Sequence, residues 1–137
     1  MDHDQQAAGA ISILVVEDEP LVRMNTAEYL MEAGFRVVDA SDGAQAIEAL
    51  KADNTICAVF SDIQMPGAVD GFSLRRWVQQ NRPQVVVLLT SGVSNVQSAA
   101  GHLSQPRWIV FKPYDLRDVE MRLRELLPTT TRSAVAS

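Results

Sequence analysis

The chain has one cysteine, Cys57, so no disulfide can close within it. A lone thiol suits a reducing compartment, and Cys57 opens an apolar strand, where a buried, unreactive thiol is expected. No apolar run approaches the ~20 residues that a membrane-spanning helix needs. Met1 to Gly9 is polar and has no apolar signal region. Clustered basic residues are lacking too. The twelve Lys and Arg are scattered, with only a loose grouping from Arg117 to Arg124, and the net charge is −5. A surface that grips the phosphates of nucleic acid needs concentrated positive charge, so that class is disfavoured. Neither Gly-x-Gly-x-x-Gly nor Gly-x-x-x-x-Gly-Lys-Ser/Thr occurs, which removes the signatures of nucleotide-binding modules. There is no internal repeat. These absences leave a soluble cytoplasmic protein as the expectation.

What is present is a core. Hydrophobic residues make up 47% of the 137, enough for one domain and too many for a mainly disordered chain. Residues 1–10 read as a flexible leader, 11–127 as the domain, and 128–137 as a small, polar, disordered tail. Within the domain, short apolar runs alternate with helical patterns. Ile11 to Val16 reads as a first strand, and Pro20 opens a helix to about Ala33, with Leu21, Met24 and Leu30 toward one face and Gly34 as its stop. Phe35 to Ala40 follows as a strand, then Ser41-Asp42-Gly43 as a turn and N-cap before a helix over Ala44 to Lys51, with Ile47 and Leu50 inward. Ala58 to Asp62 is the third strand. Asp70-Gly71 leads into a helix over Phe72 to Asn81 whose Phe72 and Trp77 read as core residues. Val85 to Thr90 is a fourth strand. Residues 93–103 carry a weaker helical pattern, rich in Ser and Gln and containing Gly101. Trp108 to Phe111 is the fifth strand, and Asp115 caps a last helix over Leu116 to Leu127. Strand and helix thus alternate through the whole domain. That order predicts an α/β fold with a parallel sheet between two helical layers.

The chemistry gathers where strands end. Parallel strands place their C-terminal ends on one edge, the usual seat of ligand chemistry in open α/β sheets. Glu17-Asp18 follow the first strand, Asp62 ends the third, Thr90 the fourth, and Lys112 follows the fifth. Singly, each has a bland reading: an acidic run is a solvated turn, Asp62 a cap, Thr90 a structural strand end, Lys112-Pro113 uninformative. Together they bring carboxylates, a hydroxyl and an ammonium to one edge. Packed carboxylates repel unless a cation intervenes. Mg²⁺, which takes oxygen ligands and keeps waters, would remove that penalty. Asp62 is then placed to be a nucleophile toward a phosphoryl group, with positioning and charge neutralisation as the catalytic means.

The segments Val15-Val16-Glu17-Asp18-Glu19, Phe60-Ser61-Asp62-Ile63-Gln64-Met65-Pro66, Leu88-Leu89-Thr90-Ser91-Gly92 and Phe111-Lys112-Pro113-Tyr114 resemble the receiver domain of two-component response regulators. The likeness covers about Ile11 to Leu127. It implies a flavodoxin-like (βα)5 fold with strand order 2-1-3-4-5. It also implies that Asp62 accepts a phosphoryl group from a sensor histidine kinase or a histidine phosphotransfer protein. Glu17, Asp18, Asp62 and the backbone carbonyl of Gln64 would hold Mg²⁺, Thr90 would turn its hydroxyl to the phosphoryl group, Lys112 would contact it, and the Lys112–Pro113 bond would be cis. An output protein would meet the face made by the fourth predicted helix, the fifth strand and the last helix, with the chain a monomer or a phosphorylation-dependent dimer.

Three features depart from the pattern. Met65-Pro66-Gly67-Ala68-Val69-Asp70-Gly71 is one residue longer than the common Met-Pro-x-Met-Asp-Gly. Ile109 stands where the family usually has an aromatic switch, with Trp108 beside it on the other strand face. The pattern over 93–103 is weak in the region that usually carries output. His3 and His102 have no evident partners. The expected function is a stand-alone receiver acting by protein contact rather than as an enzyme on a separate substrate. A receiver fragment of a hybrid histidine kinase is the close variant. A Mg²⁺-dependent phosphatase of the haloacid-dehalogenase type is the alternative from another class. Such a phosphatase wants a second Asp two residues after the nucleophile, and here that residue is Gln64.

Overall fold

A computed structural model of the chain describes residues 10–92 and 106–128. The readings made for the leader, for the helix over 93–103 and for the tail beyond Pro128 concern residues outside these. Nine elements follow in order: β1 Ser12–Val16, α1 Pro20–Glu32, β2 Arg36–Ala40, α2 Gly43–Ala52, β3 Ile56–Asp62, α3 Gly71–Asn81, β4 Val86–Ser91, β5 Ile109–Phe111 and α4 Leu116–Leu126. The strands pair in parallel in the order β2-β1-β3-β4-β5. This is the flavodoxin-like order.

Two apolar layers sandwich the sheet, and β1 shows why its sequence is apolar throughout. Successive side chains leave a strand on opposite faces. Leu14 and Val16 enter one cluster with Ala46 and Leu50 of α2 and Leu74 and Val78 of α3. Ile13 and Val15 enter the other with Leu30 of α1 and Val119 and Leu123 of α4. Both faces are covered, so no position on β1 is left for a polar residue except at its ends.

Local signals set the helix boundaries. Asp42, Asp70 and Asp115 cap α2, α3 and α4 by accepting from the backbone N–H of Gln45, Ser73 and Arg117. After α1, Gly34 takes φ +106°, a region open mainly to glycine. The N–H groups of Gly34 and Phe35 then bond back to Met31 and Leu30, which closes the helix.

Three expectations about burial are corrected. Leu21 and Met24 are 67% and 52% exposed, and the buried face of α1 is Thr26, Ala27 and Leu30. At ~3.6 residues per turn, Leu21 lies two and a half turns from Leu30 and so on the opposite side. Phe72 is 42% exposed, because α3 buries Gly71, Leu74 and Val78, and Phe72 lies about 200° round from Leu74. Cys57 is only half-buried, and its Sγ donates to the Thr55 carbonyl at 3.4 Å. The reason is a register shift: Ser12 pairs with Ile56 but Ile13 with Ala58, so Cys57 is the extra residue of a bulge. β3 begins at Ile56, two residues before the expected start at Ala58.

Candidate functional site

The C-terminal ends of β1, β3, β4 and β5 form one edge, and the predicted groups stand there. Asp62 is the last residue of β3 and pairs in register with Thr90 on β4. Its side chain is almost buried. Oδ2 accepts a hydrogen bond from Lys112 Nζ at 2.8 Å, and Oδ1 accepts from the backbone N–H of Gln64 at 3.2 Å. A carboxylate–ammonium pair at that distance is a charge-assisted bond. Lys112 is held by its own backbone, whose N–H donates to the Ser91 carbonyl at 2.8 Å. The Lys112–Pro113 bond is cis.

The acidic triplet divides its labour. Glu19 is the N-cap of α1, its side chain accepting from Leu21 N–H at 2.9 Å, with Pro20 at the first helical position. Glu17 is buried at 8% exposure and its carboxylate accepts from Glu19 N–H at 3.0 Å. Asp18 is exposed. Burial raises the Glu17 pKa above the ordinary value; the charge on Asp62 and a side-chain bond with Asp18 push the same way, while the Glu19 N–H and the Lys112 charge oppose. The backbone of Glu17 is fixed from both sides: its N–H donates to Ala40, and Arg23 Nη1 donates to its carbonyl at 2.8 Å.

Thr90 is 1% exposed, and its Oγ1 has no hydrogen-bond partner among the described residues. A hydroxyl sealed from water without a partner is costly, and such groups cluster where a ligand or a second state supplies the partner. Among the described residues no group of three His, Cys, Asp or Glu side chains forms a metal cage by itself. The donors at this edge still fit Mg²⁺. They are hard oxygens, and the charge of Asp62 adds to the cost that burial places on an ionised Glu17. Mg²⁺ uses one or two carboxylates and fills its shell with waters and other oxygens.

Several contributors to this edge escape sequence reasoning. Tyr114 stacks edge-on against Phe60, ring centroids 5.8 Å apart, and burial with the charges of Glu17 and Asp62 pushes its pKa up to about 12. Arg23 carries a signal only in retrospect: placed in the first turn of α1, it reaches back to the acidic turn and also lies 3.7 Å from Asp39. Gly71 approaches β3 so closely that a Cβ there would lie 2.6 Å from the Asp62 carbonyl oxygen and from Ile63 Cα. Its N–H donates to the Ile63 carbonyl at 2.8 Å, closing the loop after Asp62.

Comparison with known proteins agrees with this geometry. A family model for the response regulator receiver domain matches residues 13–124. The transcriptional regulatory protein SrrA of Staphylococcus aureus is 27% identical over 123 residues, covering 90% of this chain and 50% of SrrA. The chain thus spans about half the length of the curated relatives it matches. A response regulator receiver protein from Sinorhizobium medicae superposes with a TM-score of 0.75 at 28% identity, over 88% of this chain and 96% of that one. The receiver domain of the hybrid histidine kinase CckA superposes with a TM-score of 0.64 at 28% identity, over 85% of this chain and 99% of that one. The sheet order, the strand-end residues and the match over nearly the whole described domain lead to one assignment: the chain belongs to the response regulator receiver domain family of two-component signalling.

Proposed function

We propose that Asp62 is the phosphoryl acceptor of this receiver, supplied by a sensor histidine kinase or a histidine phosphotransfer protein in the cytoplasm. The observation that carries the reading is the buried Asp62 carboxylate held by Lys112 at 2.8 Å, opposite a Thr90 hydroxyl that has no partner among the described residues. A carboxylate oxygen of Asp62 attacks phosphorus, the bond from phosphorus to the donor imidazole nitrogen breaks, and the imidazole keeps that electron pair and takes up a proton. The product is an acyl phosphate on Asp62. Lys112 neutralises charge on the phosphoryl oxygens, and Thr90 donates its hydroxyl to one of them. Mg²⁺, held by Glu17, Asp18, Asp62 and the Gln64 carbonyl, would supply further charge neutralisation when bound.

The output is a change of surface rather than turnover of a separate substrate. Phosphorylation adds roughly −1.5 to −2 charges and strong acceptors, to which Thr90 and Lys112 respond. The proposed readers are partners at the face that includes β5 and α4, with the chain a monomer or a dimer formed on phosphorylation. Intact-mass measurement after incubation with acetyl phosphate and Mg²⁺ tests the acceptor. One phosphoryl group is expected on the unaltered protein and none on Asp62→Ala. Equal labelling of the two proteins would sink the assignment, and sustained turnover of a generic phosphomonoester would favour a phosphatase.

A further inference from the structure

The loop after Asp62, Met65 to Gly71, does not hang free. It turns at Gly67, which takes φ +91° with nothing within 4 Å of where a Cβ would lie. Beyond that turn Val69 comes down on the first residue of α2. A Cβ on Gly43 would lie 2.4 Å from the Val69 carbonyl oxygen, 2.6 Å from its Cγ1 and 2.7 Å from its Cβ. Val69 also packs against the cluster that holds Ala46 and Leu50. The far end of the loop is fixed by the close approach of Gly71 to the Asp62 carbonyl and by the Gly71 N–H bond to Ile63.

We infer that Gly43 is a positioning residue for the phosphoryl-acceptor loop: its missing side chain is the seat on which Val69 holds the Met65–Gly71 loop, and through it the backbone of Asp62 to Gln64, in place. This rests on the proposed function of Asp62. The mechanical chain is short. An ordinary contact between carbon and a carbonyl oxygen needs roughly 3.3 Å or more, so an added methyl at Gly43 must drive the two backbones apart by about an ångström. The start of α2 cannot yield easily, because Ala46 and Leu50 anchor it in the core and Asp42 caps it. The loop yields instead, since Pro66, Gly67 and Ala68 are exposed. Its shift is passed at Gly71 to the residues that carry the acceptor and the expected carbonyl ligand. Geometry of this kind matters strongly. Misplacing a reacting group by about 1 Å can cost on the order of a hundredfold, and losing a support behind a metal ligand costs about 10–100-fold in affinity.

The test uses Gly43→Ala and, in case that protein does not fold, Val69→Ala, which removes the seated side chain without crowding. Mg²⁺ binding is measured by titration calorimetry with the metal alone. Hydrogen exchange then reads the Gly71 amide, and acetyl phosphate labelling is followed as Mg²⁺ is raised. The expected result is about tenfold weaker Mg²⁺ binding and faster exchange at Gly71, with β3 amides still protected and labelling restored by excess Mg²⁺. A merely structural role would lower the melting temperature and leave the Mg²⁺ midpoint alone. Wild-type Mg²⁺ affinity and Gly71 protection in whichever variant folds would overturn the inference while leaving Asp62 as acceptor. A parent protein that neither binds Mg²⁺ nor takes up phosphoryl would overturn both.

Discussion

Replacing Thr90 by Val should stabilise this protein while impairing its response. The hydroxyl is sealed in the sheet edge, 1% exposed, with no partner among the described residues. Leaving such a group unpaired costs about 1–3 kcal/mol in a folded protein. Valine keeps the shape and replaces the hydroxyl with a methyl, which gains about 0.8 kcal/mol more if it is fully buried. The neighbour that shares its strand face, Leu88, is apolar and fully buried. For a domain of this size, each kcal/mol moves the melting point by about 4 °C. A rise of about 4 °C or more is therefore expected for the unphosphorylated protein, by calorimetry or circular dichroism. The same substitution removes the donor proposed for the phosphoryl oxygens. Beryllofluoride with Mg²⁺ should then raise the melting point of Thr90→Val by less than it raises that of the parent. A lower melting point for Thr90→Val would show that the hydroxyl is paired in the resting state. An undiminished response to beryllofluoride would show that it takes no part in the phosphorylated one.

Two further outcomes follow from the same edge. Lys112→Met removes the ammonium that donates to Asp62, and the initial rate of labelling by acetyl phosphate should fall about a hundredfold, the usual effect of losing one preorganised electrostatic partner; a rate within about threefold of the parent, far below that effect, would remove Lys112 from the mechanism. Tyr114 should resist ionisation: its pKa is raised from 10.0 to about 12, so burial favours the neutral form, and the resulting stability is present below pH 10.0 and lost as pH rises through about 12. Ultraviolet absorbance should show native tyrosinate lagging behind the unfolded chain within that window, and Tyr114→Phe should remove most of the lag; no lag would contradict burial of the phenol.

The placement of the strand-end groups was legible in the sequence because each sits at a position defined by a one-dimensional rule. An apolar run ends, a polar residue follows, and parallel pairing brings the ends to one edge. Caps were legible for the same reason, since the Ser41-Asp42-Gly43 stretch and Asp115 are local signals. The misreadings share a different cause. Cys57 depends on a bulge, which is a mismatch between two strands and leaves no mark in either alone. Leu21, Met24 and Phe72 depend on which side of a helix meets the sheet, and apolar residues on the outer side of α1 blur its stripe. The seat at Gly43 is a contact between residues far apart in sequence, so glycine there reads only as a turn.

The unfavourable features of this edge have one remedy in common. Glu17 is buried against the charge of Asp62, and the Thr90 hydroxyl has no partner among the described residues. A divalent cation would relieve the first, and the phosphoryl group proposed for Asp62 would give the second an acceptor. The fold therefore holds its least satisfied polar groups at the edge where the proposed ligands would bind, and the covered sheet on either side keeps them there. What lies beyond is less usual. Ile109 is 3% exposed in the core and pairs in register with Leu89, so the position has no ring to swing outward. Backbone bonds tie β4 to β5 and its flanks: Leu89 N–H to the Trp108 carbonyl at 2.7 Å, and Lys112 N–H to the Ser91 carbonyl at 2.8 Å. Trp108 is in turn covered by the Arg75 guanidinium, 3.8 Å from its ring centroid. A shift of Lys112 toward a phosphoryl group would pull on this ladder, not rotate a side chain, and so would move β5 and the Trp108–Arg75 stack together.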